Sequence, residues 1–221
     1  SQQCVVDSGM LKTRFWHVIA VLLLLPAASA ANVVVLPFGG ADPILGTAVS
    51  HAVAEALAAD HDVIGPAAAP TLVPPFLAGG GFYNPAGYFT DTTGPGVTMM
   101  LRAGSGADLA LNGHIETVDG LMVMELQTAH AGGVNTVVLQ VPEGDATGLA
   151  LRVTAVASHV LGSEPAVPAA AVDMDGIDGA RALAIHEAGR TGRLQAALDA
   201  LADPLLADDP YSLQLRQAIE A

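Results

Sequence analysis

Three rhythms of apolar and polar positions divide this 221-residue chain. From Phe15 to Leu25 the run is almost wholly apolar, with Lys12 and Arg14 before it and Pro26-Ala27-Ala28-Ser29-Ala30 closing it in a small-x-small pattern. That is the layout of a secretory signal, and it is short for a membrane span. Val33 to Leu36 is then a short apolar run of mostly β-branched residues, the mark of a strand buried on both faces, ended by Pro37 and Gly39-Gly40. Between Ile44 and Ala59 the period lengthens. Ile44, Val49, Val53 and Leu57 form a stripe with Ser50, His51 and Glu55 off it, which predicts an amphipathic helix. Val63-Ile64 begins another strand, so the segment reads as a βαβ unit with parallel strands.

The stretch from Pro66 to Gly96 has no period. It is rich in Pro and Gly and holds Phe76, Phe82, Tyr83, Tyr88 and Phe89, five of the chain's nine aromatic residues. A short helix is expected over 97–103. Three strands follow, over 108–118, 121–128 and 134–141. Asp119-Gly120 makes the first turn, the dipeptide favoured in type I′ hairpins, and Gly132-Gly133 the second. Gly113 reads as a bulge in the first of these strands. In the second strand, Leu121 and Val123 lead the apolar set, which shifts to Leu126. Leu149, Val153, Val156 and Val160 predict a helix over 145–161, and three short helices are expected over 179–221, divided at 189–192 and 208–210.

The expected fold is therefore α/β (α+β): a mixed sheet with a βαβ unit and antiparallel hairpins, helices packed on it, and a C-terminal helical hairpin. The organisation is upstream residues and leader over 1–30, an α/β domain over 31–161, an Ala/Pro/Asp linker over 162–178 and a helical segment over 179–221. Ser1 to Gly9 precede Met10, the expected initiator.

Composition narrows the chemistry. There are 22 acidic residues against 8 basic ones, a net charge of −14, and no Lys follows Lys12. A nucleic acid or an anionic membrane surface needs clustered cations, so neither is an expected partner. The single Cys is Cys4, before the leader. The exported part has no thiol and no disulfide, and apolar burial must stabilise it. Ala31 stands where a lipoprotein would carry its lipidated Cys.

Gly106-Ala107-Asp108-Leu109-Ala110-Leu111-Asn112-Gly113-His114-Ile115, the first strand Val33-Val34-Val35-Leu36-Pro37-Phe38 and the helix ending Val53-Ala54-Glu55-Ala56-Leu57 resemble the amino-terminal domain of the TolB translocation protein family. With the hairpin at Asp119-Gly120, the resemblance covers Asn32 to about Leu161. It implies an α/β domain of the cell envelope. The 66–96 loop is long for that family, and nothing here resembles TolB's β-propeller, so TolB's partner binding is not implied. Gly192 to Leu201 followed by Asp209-Pro210 resembles the second helix of a tetratricopeptide repeat, with Leu183 to Ala188 as its first helix and Tyr211 to Ala221 as a closing one; a plain helical hairpin is the equal alternative.

Catalytic signals are sparse. Gly79-Gly80-Gly81 precedes Phe82 instead of a helix start with Lys, so it is no phosphate loop, and Ser105 lacks the flanks of a nucleophile elbow. His51 with Glu55 and His114 with Glu116 each offer half of a metal site, or are surface polar pairs. Asp173, Asp175 and Asp178 around Gly176 are a weak calcium candidate without the full twelve-residue loop, and Asp178 doubles as the N-cap of a helix starting at Gly179. The aromatic loop either forms a binding surface or folds back over the sheet edge.

The expectation is a non-enzymatic, periplasmic or secreted protein without cofactor. It has no membrane span once the signal is removed, and acts by protein–protein contact or scaffolding in the envelope. Phe76, Phe82, Tyr83, Tyr88 and Phe89, together with the helices from Arg181 to Arg216, are its contact surfaces. The alternative is a small-ligand-binding module with the 76–89 loop as lid.

Overall fold

The computed structural model describes residues 30–68, 95–164, 167–188 and 193–220. The leader and the aromatic loop, with Phe76, Phe82, Tyr83, Tyr88 and Phe89, lie outside the described residues. Within them the expected α/β architecture is present. β1 (Asn32–Val35), β2 (Gly39–Gly40), β3 (Asp62–Ile64), β4 (Leu109–Val118), β5 (Leu121–His130) and β6 (Gly133–Pro142) form one mixed sheet. Its order is β3-β1-β4-β5-β6, with β2 against β4. β1 lies parallel to both neighbours, with Val33 opposite Val63 on one side and Leu109 on the other. β4, β5 and β6 are an antiparallel meander.

Two layers of side chains follow from this order. On one face, α1 (Pro43–Leu57) and α3 (Ala146–Leu161) cover Val33, Val35, Leu109, Leu111, Met124 and Leu126. On the other, α2 (Pro95–Ser105) sets Leu101 over Val34, Leu36, Ala110 and Ala129. Val33 to Leu36 are buried on both faces because helices cover both sides of the sheet there, which is why this run is unbroken Val and Leu.

Local chemistry places the ends. Asp42 caps α1 by accepting from Ile44 N and Leu45 N, each at 3.0 Å, and Pro43 occupies the first turn where no N–H is needed. Asp145 caps α3 through Gly148 N at 2.8 Å, and Gly162, at φ 70°, ends it left-handed. Asp119 (φ 51°) and Gly120 (φ 76°) are both positive, as a type I′ turn requires.

Three expectations are corrected. The bulge is not at Gly113, since β4 and β5 pair without interruption from Ala110 to Val118. It lies at Leu36–Phe38, where the β1–β2 side advances from Val35 to Gly39 while β4 advances only from Leu111 to His114. Gly113 is small because Met124 and Phe38 pack directly over its Cα. The inward face of β5 is Met122, Met124 and Leu126, not Leu121 and Val123, and Leu121 is exposed. The second hairpin turns at Ala131-Gly132, with His130 opposite Gly133 and its Nδ1 accepting from Gly132 N.

The amino end of β1 is tied down at once. Asp62 N donates to Ala31 O at 2.9 Å, and Ala31 N donates to His61 Nδ1 at 3.3 Å. Asn32 exchanges hydrogen bonds with Asp108, N to Oδ2 at 2.9 Å and O from N at 2.8 Å.

The tail forms α4 (Ile177–Ala188), α5 (Leu194–Ala200), a 3-10 turn (Pro204–Leu206) and α6 (Pro210–Glu220). Ala184, Leu201 and Leu206 make a small core of their own, flanked by Leu215 and Ile219. α4 also packs against α1, so the tail is seated on the α/β domain.

Candidate functional site

The densest polar cluster in the described residues lies at that seat. α1 presents His51 and Glu55 on the side turned toward the tail, one helical turn apart. α4 brings Asp178 and Arg181, and the start of α6 brings Asp209, Tyr211 and Ser212. Arg181 is the hub. Its Nη2 donates to Asp209 Oδ1 at 2.7 Å and its Nε to Asp209 Oδ2 at 3.3 Å, a bidentate pair. Its Nη1 donates to Asp178 Oδ1 at 3.3 Å and stands 3.9 Å from Glu55 Oε1.

Asp209 has a second task. Its Oδ2 accepts from Ser212 N at 2.9 Å and Ser212 Oγ at 2.6 Å, so the same carboxylate that holds Arg181 also caps α6. Burial alone would raise its pKa; the Arg181 and Ser212 hydrogen bonds outweigh it and lower the value to about 2. Burial likewise disfavours the Arg181 charge, yet Asp209 more than restores it and the pKa is raised. Glu55 is raised by burial in spite of Arg181. Tyr211 is raised by burial and by the Glu55 charge.

His51 is the odd member. It is 3% exposed, and neither ring nitrogen meets a hydrogen-bond partner of good geometry. Its ring lies against Tyr211, centroids 4.3 Å apart and tilted by 51°. Burial, then the Arg181 charge, lowers its pKa to about 4, so it is neutral at pH 7. The cluster thus holds one guanidinium satisfied by carboxylates and one silent imidazole. Chemically it is a clamp that ties α6 to α4, with α1 meeting it through Glu55, 3.9 Å from Arg181, and through the His51 ring against Tyr211.

The sequence-derived candidates are dispersed. Asp178 is engaged by Arg181, and its Oδ2 accepts Asp173 N at 2.9 Å; it lies inside the first turn of α4 and does not cap it. Asp173 and Asp175 are exposed. His51 Nε2 and Glu55 Oε1 are 3.9 Å apart, and His114 Nε2 and Glu116 Oε1 are 3.4 Å apart on the face of the sheet opposite α1. Among the described residues no group of three or more His, Cys, Asp or Glu side chains is placed to hold a metal ion. Ser105 Oγ donates to Leu101 O at 2.7 Å, closing α2. Also among the described residues, no helix is long and apolar enough to cross a membrane.

An open groove of about 450 Å³ runs between α3 and the outer strands, bordered by Thr128, Asn135, Val137, Val156 and Val160. The Thr128 hydroxyl there is buried without a hydrogen-bond partner.

Neither the clamp nor the groove was found from sequence. In the sequence Arg181 marks the start of the expected contact helices, and Asp209 marks a helix divider and part of the tetratricopeptide resemblance; nothing there pairs the two. Comparison with models of known protein families gives no match, and no curated protein matches the chain.

Proposed function

We propose that this is an exported, non-enzymatic protein of the cell envelope, periplasmic or secreted, which works by binding another protein and scaffolding it. The observation that carries the reading is the way the tail is presented. Its α4 packs on α1 and its α6 is tied to α4 by the Arg181–Asp209 pair, while Ile177, Leu183, Leu194, Leu205 and Leu213 stay exposed. Large aliphatic residues on a firmly seated element cost little further ordering when a partner covers them.

Photo-crosslinking tests this directly. A photoreactive residue at Leu194 or Leu205 is expected to give a discrete adduct with a different protein in envelope extracts, and the same residue at Leu151 on α3 is not. Adducts absent from both tail positions overturn the reading.

The groove beside α3, with its unpartnered Thr128 hydroxyl, favours the second reading, a small-ligand module. That reading predicts a rise in melting temperature with a bound small molecule by mass action.

A further inference from the structure

The last helix is lightly held. Among the described residues α6 buries only Ser212 outright, while Leu215 and Ile219 rest half-covered on Leu201 and Leu206. It meets α1 through Tyr211. That ring stands in a slot between the His51 ring and the backbone at Gly65, where an added side chain would collide with the Tyr211 hydroxyl. His51 is fixed in its place, because Val49, Val53 and Leu57 of the same helix are locked into the core under the sheet. Both of its ring nitrogens are buried without a hydrogen-bond partner. A neutral imidazole tolerates that position. An imidazolium has two N–H donors and a charge to satisfy, and does not.

We propose that His51 is an acid-sensitive latch for α6: once its ring takes up a proton it no longer holds Tyr211, and α6 lifts from α1 about the Arg181–Asp209 pair. The groups around the ring leave the new charge unsatisfied. On α1, Glu55 Oε1 is 3.9 Å from Nε2, beyond hydrogen-bond reach, and burial raises its pKa, so acid silences it as an acceptor. On α4, Arg181 repels a second cation and Asp178 is engaged by Arg181. Glu187 is taken up by Arg193 at 2.8 Å, and His186 is turned about 140° from Arg181 around the helix. On α6, both Asp209 oxygens are engaged by Arg181 and Ser212, and the Tyr211 ring attracts a cation without accepting its two N–H groups. With Tyr211 seated, burial and then the Arg181 charge lower the His51 pKa to about 4; with α6 lifted the ring is wetted and returns toward 6.5. The seated arrangement is therefore favoured above pH 6.5 and loses ground as pH falls toward 4. Between pH 7 and pH 5 the lifted population rises by up to about twentyfold, and Glu55 offsets part of that. Asp209, lowered to about 2, stays ionised throughout, so its pair with Arg181 survives as the pivot. Leu201 and Leu206 are what the departing helix uncovers. This inference does not depend on the envelope reading above.

Amide hydrogen exchange on the full chain at pH 7 and pH 5, corrected for the intrinsic effect of pH on exchange, reads the opening. A detached helix of 11 residues does not hold itself together in water, so its amides lose protection. Protection from Leu213 to Ile219 is expected to fall about tenfold at pH 5 while β4 and β5 keep theirs. His51→Phe leaves a ring against Tyr211 but takes up no proton, and is expected to abolish the fall. The reciprocal measurement follows the His51 ring by NMR. If its proton expels Tyr211, then Tyr211→Ala lets the proton bind more tightly, and the His51 titration moves up by about one pH unit or more. Equal α6 protection at the two pH values overturns the proposal. So does a fall that persists in His51→Phe, a fall shared equally by β4 and β5, or a His51 titration indifferent to Tyr211→Ala.

Discussion

At the scale of single residues, His51 and Asp209 decide how the molecule meets acid. His51 has its folded pKa lowered to about 4 from an ordinary 6.5, so between those values the unfolded chain binds more protons than the folded one. Stability is therefore complete above pH 6.5 and falls as pH drops toward 4, by on the order of 3 kcal/mol. Asp209, lowered to about 2, has the same sign: its contribution is full above an ordinary 3.8 and is lost as pH falls toward 2. Glu55, raised by burial, has the opposite sign and offsets part of the lower end of the His51 window. Urea titrations across pH 4 to 7 should show this slope in the wild type. His51→Phe keeps a ring against Tyr211 and should flatten it; a slope unchanged in that variant would assign the acid sensitivity elsewhere. The clamp was not legible in the sequence for a plain reason. An ion pair between Arg181 and Asp209 spans 28 residues and leaves no period behind it, unlike a stripe of Leu and Val.

Elements were legible where the signal was local. Asp119-Gly120 named its own turn, because few residues accept positive φ at both positions. The stripes of α1 and α3 were read within two residues of their ends. β5 was misread by one position because both of its faces are apolar at its start; Met122 and Met124 go inward only because they oppose Val141 and Leu139 on β6 and Ile115 on β4. The displaced bulge has a similar cause, since it depends on pairing between segments far apart in sequence. Close approach at an element's start yields a further prediction. A side chain on Gly46 of α1 would collide with the Phe38 carbonyl, part of that bulge. Gly46→Ala should thus destabilise the fold, although in an open helix the same change would gain about 1 kcal/mol. A melting temperature above wild type would show that the bulge yields easily.

For the whole molecule, the joint between tail and α/β domain is the informative boundary. A linker is expected over 162–178 before a helical segment, and the structure packs α4 of that segment on α1 while the Arg181–Asp209 pair ties α6 to α4. Asp209→Ala removes both the partner of a buried guanidinium and the cap of α6, so a loss of about 3–5 kcal/mol is expected. Hydrogen exchange should locate it, with α5 and α6 losing protection while β4 and β5 keep theirs. Equal loss in both regions would mean that tail and sheet unfold as one unit.

The hydrogen bonds that hold Ala31 against His61 and Asp62 set an order of events. Proteases require an exposed, pliable stretch of chain on both sides of the bond they cut. Ala30 is exposed, but the next residue is already stitched into the sheet and Asn32 is locked to Asp108. Any enzyme that cuts between Ala30 and Ala31 must act while the first strand is still loose. For such an enzyme, closure of the sheet around β1 would be the deadline.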